Sequence, residues 1–233
     1  METQLIIEGV YDRNIFPILD KYQINFFSFD FRPKSFNYLQ IYQAKNFLKD
    51  LSFSNGPHAK KIFLDFGAEK KWVIDEIIKD LRTVLPPEIP INIFIQPSDE
   101  ILATEVKDAF LFYYVLCQDA HSIPKLVSEY LNHPQFRGIK IDKYCYGHLF
   151  TQGEYSPDLD YLNRIKKNLK DLFQIIVEID YDWNFEKNKI EHFLIDFFSF
   201  KIDSNVEKDF RQIDFSIFDQ HVVMLQNKVK ASL

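Results

Sequence analysis

A chain of 233 residues with 46% hydrophobic content can bury one sizeable core. Its formal net charge of −6 excludes a general attraction to nucleic acid or to an anionic membrane surface, and no apolar run approaches the ~20 residues that a membrane helix needs. The opening "METQLIIEGVYDRN" lacks a basic segment followed by a long apolar one, so no signal peptide is expected.

From there on, apolar runs of four to eight residues alternate with segments of helical periodicity. Residues 4–8 read as a first strand and 13–21 as a helix. Residues 25–31 follow as strand and 41–51 as helix, with the polar loop "FRPKSFNYLQ" spanning their junction. The pattern continues with strand 61–66 and helix 69–85, strand 91–96 and helix 99–107, then strand 110–117 and helix 122–131. It ends with strand 138–142 and helix 157–172, strand 173–179 and helix 186–193, and strand 197–202 with helix 215–229. Ser122 and Ser156 precede helices that begin near prolines, as a helix N-terminus favours.

Eight strand–helix units in this length predict an α/β fold: an eight-stranded parallel (β/α) TIM barrel, with 1–233 as a single domain. An open doubly wound sheet is the alternative. In a barrel the chemistry sits at the carboxyl ends of the strands, so a small-molecule ligand is expected there. Neither nucleic acid nor membrane is expected as a partner, and the oligomeric state is not set by the sequence. Cys117 and Cys145 lie outside any C-x-x-C or zinc spacing. They read as reduced thiols of a cytoplasmic protein, with a disulfide as the alternative.

Read in order, the strand ends supply Glu8, then Ser28 and Asp30 with Arg32, Lys34 and Ser35, then Asp65 and Gln96. The later ends supply Gln118 and Asp119, then Asp142, Glu178 and Asp180, and finally Lys201, Asp203 and Ser204. Two compositional facts bear on this rim. The 24 phenylalanines make a bulky aromatic core, and only 6 glycines leave little backbone able to approach a phosphate closely. The carboxylates of Glu8, Asp65, Asp142, Glu178, Asp180 and Asp203 could attract an oxygen-loving cation or, alternatively, be solvated and balanced by Lys140, Lys143 and Lys201. No ligand spacing is diagnostic, so neither metal nor cofactor is predicted. His148 stands near Cys145 in "YCYGHLF", with nothing in the sequence to orient the pair.

The stretch "FSFDFRPKSFNYLQIYQAKNFL" resembles the second strand, loop and helix of the phosphoribosylanthranilate isomerase family, a tryptophan-biosynthesis barrel. Pro33, Ser35, Tyr38 and Ala44 match its pattern. The same alignment sets "LIIEGV" on the family's first strand, "IKID" on its sixth and "FKIDSNVE" on its eighth, covering essentially the whole chain.

The resemblance implies an Amadori rearrangement, with a general base on the first strand and a general acid on the sixth facing each other across the barrel. Asp142 falls on the acid's position. Glu8 falls on the base's position, where the family has cysteine; a glutamate could serve as the base, or Glu8 and Asp142 could instead be rim carboxylates paired with Lys140 or Lys201. Asn37 stands where the family's arginine holds a substrate carboxylate, and a neutral amide cannot replace that charged fork, though Arg32 and Lys34 are near. The family's phosphate glycines after the seventh and eighth strands are replaced by Glu178, Asp180, Asp203 and Ser204, while Lys201 replaces an aspartate. A carboxylate about 4 Å from a phosphate costs about 4 kcal/mol at an effective dielectric near 20. With all three features changed together, the sequence predicts a barrel of this descent that binds a small polar or cationic ligand, or a protein partner, without efficient isomerisation. A divergent isomerase using Glu8 as base and Asp142 as acid is the alternative.

Overall fold

A computed structural model describes residues 3–51, 60–96, 106, 108–115, 123–145, 157–181 and 195–231. Eight parallel strands close into a barrel in chain order. They are β1 (Gln4–Glu8), β2 (Phe26–Asp30), β3 (Lys61–Gly67), β4 (Ile91–Ile95), β5 (Ala109–Val115), β6 (Phe136–Ile141), β7 (Gln174–Ile179) and β8 (Phe197–Lys201). Closure is made by β8 against β1, with Gln4 opposite Phe197 and Glu8 opposite Lys201. The barrel is therefore the expected one, and the open sheet is ruled out.

The described helices are α1 (Phe16–Lys21), α2 (Ile41–Asp50), α3 (Lys71–Arg82), α4 (Ile123–Tyr130), α5 (Pro157–Leu169) and α6 (Phe215–Ala231). Two expected helices differ in form. The first begins as a 3-10 turn, Arg13–Ile15, capped by the Asp12 carboxylate, before Pro17 admits the α-helix. The one expected over 157–172 ends its α-helical part, α5, at Leu169 and tightens into a 3-10 turn, Lys170–Leu172, with Lys170 at positive φ. The expected helices 99–107 and 186–193 lie outside the described residues, apart from Val106.

Every strand is covered on both faces, which is why the runs are nearly continuous in Ile, Phe and Val. Two cores result. Outside the barrel wall, Phe27 and Phe29 pack on Phe16 and Phe47 from the flanking helices, and α3 adds Ile74, Ile78 and Leu81 from one face. Inside the barrel, Ile6, Phe26, Phe63, Phe94, Phe112, Tyr114, Ile176 and Phe197 form a separate cluster. Phe63 stacks on Phe94 at 4.9 Å, and Phe26 meets Phe197 edge-on at 5.0 Å. Phenylalanine thus fills the lower barrel, and the positions two residues further along most strands carry polar or charged groups.

After β8 the chain forms elements that the sequence reading did not assign. It turns at Asp203, whose carboxylate accepts from the Asn205 amide, and then forms an antiparallel hairpin, β9 (Glu207–Asp209) with β10 (Gln212–Ile213). Phe210 at the hairpin tip meets Phe36 edge-on at 5.0 Å, and Tyr11 donates to Glu207, so the hairpin is fastened to the loops after β1 and β2.

Candidate functional site

The register of adjacent strands sets charged residues side by side at the carboxyl end of the barrel. Asp30 pairs with Asp65, Tyr114 with Lys140, and Glu8 with Lys201. Paired residues of parallel strands point to the same face, so these side chains meet inside the mouth.

Lys140 is the centre of the arrangement. Its side chain is 1% exposed, and its Nζ lies 2.5 Å from Glu8 Oε2, 3.2 Å from Glu178 Oε2 and 3.4 Å from Tyr114 Oη. The rings of Phe94 and Tyr114 lie 4.8 Å from the same ammonium. Burial alone would drive the lysine toward neutrality, but Glu8, Glu178 and Asp65 outweigh it and its pKa is raised. Burial likewise pushes the Glu178 carboxyl up, and Lys140 more than reverses this, so its pKa is lowered.

The chain of contacts continues across the mouth. Tyr114 donates to Asp65 Oδ2, and Arg32 Nη2 lies 3.0 Å from that same oxygen. Arg32 also grips Asp30 with two bonds, Nε to Oδ1 at 2.9 Å and Nη2 to Oδ2 at 2.5 Å, while Ser35 Oγ donates to Asp30 Oδ2 at 2.5 Å. Burial raises the Asp30 carboxyl and Arg32 overcomes it, leaving the pKa lowered. Asp65 is placed less favourably. Burial dominates over the attraction of Arg32, and its carboxyl is pushed up to about 6.

Above this network opens a cavity of about 490 Å³. Glu8, Tyr114, Lys140, Glu178 and Lys201 line it from the strands, and Arg32, Lys34 and Asp142 line it from the segments that follow them. Of the residues singled out from sequence, Glu8, Arg32, Lys34, Asp142, Glu178 and Lys201 therefore share one cavity. The formal charges of its described lining balance: Arg32, Lys34, Lys140 and Lys201 against Glu8, Glu69, Asp142 and Glu178. The cations that the phosphate argument lacked are thus present in number, though Lys140 and Arg32 are already engaged by carboxylates.

The remaining candidates are placed elsewhere. Asn37 is fully buried; its Nδ2 donates to the Ile202 carbonyl at 2.7 Å and binds the β2 loop to the chain after β8. Gly9 runs against it at φ 72°, where a Cβ would come within 2.3 Å of the Asn37 amide nitrogen. Ser35 is bound to Asp30, Asp180 pairs with Lys143 at 2.7 Å, and Asp203 and Ser204 belong to the turn that leads into the hairpin. Asp142 accepts from the Tyr144 amide at 2.8 Å, so one of its oxygens shapes the loop after β6. Glu8 is not at a wet rim: it is 2% exposed, and its Oε1 is buried without a hydrogen-bond partner among the described residues.

Sequence reasoning did not single out Tyr114, and it named Lys140 only as an alternative counter-ion for Glu8 or Asp142; the pair with Glu8 is the one formed. The signal was parity. Lys140 precedes Asp142 by two residues in an otherwise apolar strand, so both must face the same side. Cys145 is buried, whereas Cys117 and His148 fall outside the described residues. Among the described residues, no group of three His, Cys, Asp or Glu side chains is arranged to hold a metal ion, and no helix is long and apolar enough to cross a membrane.

No protein-family profile and no curated protein sequence matches the chain. Solved structures do. Phosphoribosylanthranilate isomerase from Thermotoga maritima superposes with a TM-score of 0.61 at 12% identity, covering 97% of this chain and 99% of that one. TrpF from Jonesia denitrificans gives 0.60 at 9% identity, covering 96% and 98%. N-(5'-phosphoribosyl)anthranilate isomerase from Pyrococcus furiosus gives 0.57 at 12% identity, covering 97% and 100%. The shared feature is the fold along the full length of both chains.

Proposed function

We propose that this chain is a barrel of phosphoribosylanthranilate isomerase descent that binds a small polar molecule at the carboxyl end of its strands and has lost efficient isomerisation. The observation that carries this reading is the buried ion pair between Lys140 and Glu8. A general base must be free to take a proton from its substrate. The position that the resemblance assigns to the base is held at 2.5 Å by a lysine that is itself kept protonated. A second support is Asn37, whose amide is committed to the Ile202 carbonyl and replaces a guanidinium fork. The polar lining and the volume of the cavity suit a small ligand.

The test is isomerase turnover by the purified protein, together with rescue of a tryptophan-requiring strain lacking the enzyme. The expected outcome is no rescue and no turnover above a no-enzyme control. Robust turnover, abolished by Glu8→Gln and by Asp142→Asn, would overturn the proposal and establish Glu8 as base and Asp142 as acid.

A further inference from the structure

The lining of the cavity balances, but the network beneath it, which adds Asp30 and Asp65, holds more negative than positive charge. Glu8, Glu178, Asp30 and Asp65 supply four carboxylates, and the cations in contact with them are Lys140 and Arg32. Lys201, beside Glu8 in the register and acting on Glu178 from the edge, offsets only part of the difference. Two carboxylate oxygens in this network, Glu8 Oε1 and Asp65 Oδ1, are also buried without a hydrogen-bond partner among the described residues, and of the two residues Glu8 lines the cavity. Glu8 spends Oε2 on Lys140, whereas its Oε1 is buried and has no partner among the described residues. A buried carboxylate oxygen without a donor is costly, and a bound molecule that supplies one removes the cost.

We propose that the cavity receives a small molecule carrying a primary ammonium group, which donates to Glu8 Oε1 and sits against the Glu8 and Glu178 carboxylates. This rests on the small-ligand reading above and narrows it to one chemical class. Glu8 and Glu178 both contact Lys140 Nζ, so the point between them is taken, and the ligand ammonium sits beside the lysine on the side of the unused Glu8 Oε1. An ammonium brings the missing positive charge and the missing donor together. A hydroxyl brings only the donor, and an anion brings neither. A metal ion fits less well, since no three His, Cys, Asp or Glu side chains converge to hold one among the described residues. Lys34 lines the cavity and is exposed, so it would meet the polar remainder of the ligand.

The experiment compares three six-carbon polyols that share a skeleton and differ in charge: glucamine, sorbitol and gluconate, with ribose 5-phosphate as a fourth probe. Binding to the full chain is read by titration calorimetry and by the shift in melting temperature. Glucamine should bind at least tenfold more tightly than sorbitol or gluconate. Glu8→Gln should weaken glucamine at least tenfold, and a melting curve of that variant verifies that it is folded. Lys201→Gln, which removes the offsetting cation at the edge, should strengthen glucamine several-fold, so the proposal stays testable if Glu8→Gln fails to fold. Equal or tighter binding of sorbitol, gluconate or ribose 5-phosphate overturns the ammonium assignment while leaving a small-ligand barrel. Weaker glucamine binding in Lys201→Gln, or no binding of glucamine at all, also overturns it. Isomerase turnover is measured separately and decides the reading on which the inference rests.

Discussion

Replacing Lys140 by Met keeps most of the side-chain volume and removes the ammonium. In the wild type this group satisfies Glu8 and Glu178 from inside the barrel, where the lysine side chain is 1% exposed. Without it, two carboxylates face each other with no cation in contact. Removing one partner of a buried ion pair costs about 3–5 kcal/mol, because the remaining charge is left uncompensated. For a chain of this length that corresponds to a fall in melting temperature of about 6–20 °C. The loss must also depend on pH. Lys140 lowers the Glu178 carboxyl in the wild type, so its contribution is present above the unfolded carboxylate pKa near ~4.3 and is lost as pH falls below it. In the variant the same carboxyl takes up a proton more readily and the strain relaxes in acid. Urea unfolding at pH 7.5 and pH 4.5 measures both effects. The expected cost at pH 4.5 is less than half of that at pH 7.5, and the triple variant Lys140→Met, Glu8→Gln, Glu178→Gln should regain most of the stability. A cost below about 1 kcal/mol at pH 7.5, or one that does not change with pH, would refute the electrostatic account.

Three further outcomes are expected. Gly9→Ala forces a Cβ into positive φ and to within 2.3 Å of the Asn37 amide, so it should destabilise by about 2–5 kcal/mol in urea unfolding; a loss under about 1 kcal/mol would contradict the packing described. Asn37→Ala removes the donor to the Ile202 carbonyl and should cost about 1–3 kcal/mol, read as a lower urea midpoint with an unchanged slope. Asp65 has a raised pKa, so the folded state binds the proton more tightly and stability falls as pH rises from about 4 to about 6. Asp65→Asn should remove up to about 3 kcal/mol of that fall, seen in unfolding at pH 4.5, 5.5, 6.5 and 7.5. An unchanged profile would show that Asp65 does not titrate in this window.

The sequence by itself determined the eight-fold alternation and the place of the strand ends. Runs such as "KIFLDF" and "FFSFKI" are too apolar to lie anywhere but in a sheet covered on both faces. Their spacing leaves room for one helix each, and the handedness of such units leads to a closed parallel barrel. Glu8, Asp142 and Lys201 were therefore legible as residues of the mouth. The same property hid the rest. When both faces of a strand are apolar, the period of two that distinguishes inside from outside fades, and Tyr113 and Tyr114 look alike. The register decided between them: it turned Tyr114 inward beside Lys140 and sent Tyr113 out against Tyr130 and Phe136. It also brought Lys140 to Glu8 across 132 positions of sequence. The hairpin after β8 escaped notice because its strands are short and polar, with Phe210 exposed at the tip. Local pattern shows which residues can reach a barrel mouth. Which of them spend their charge on one another is settled only when the eighth strand closes on the first, because that closure fixes which side chains share the interior.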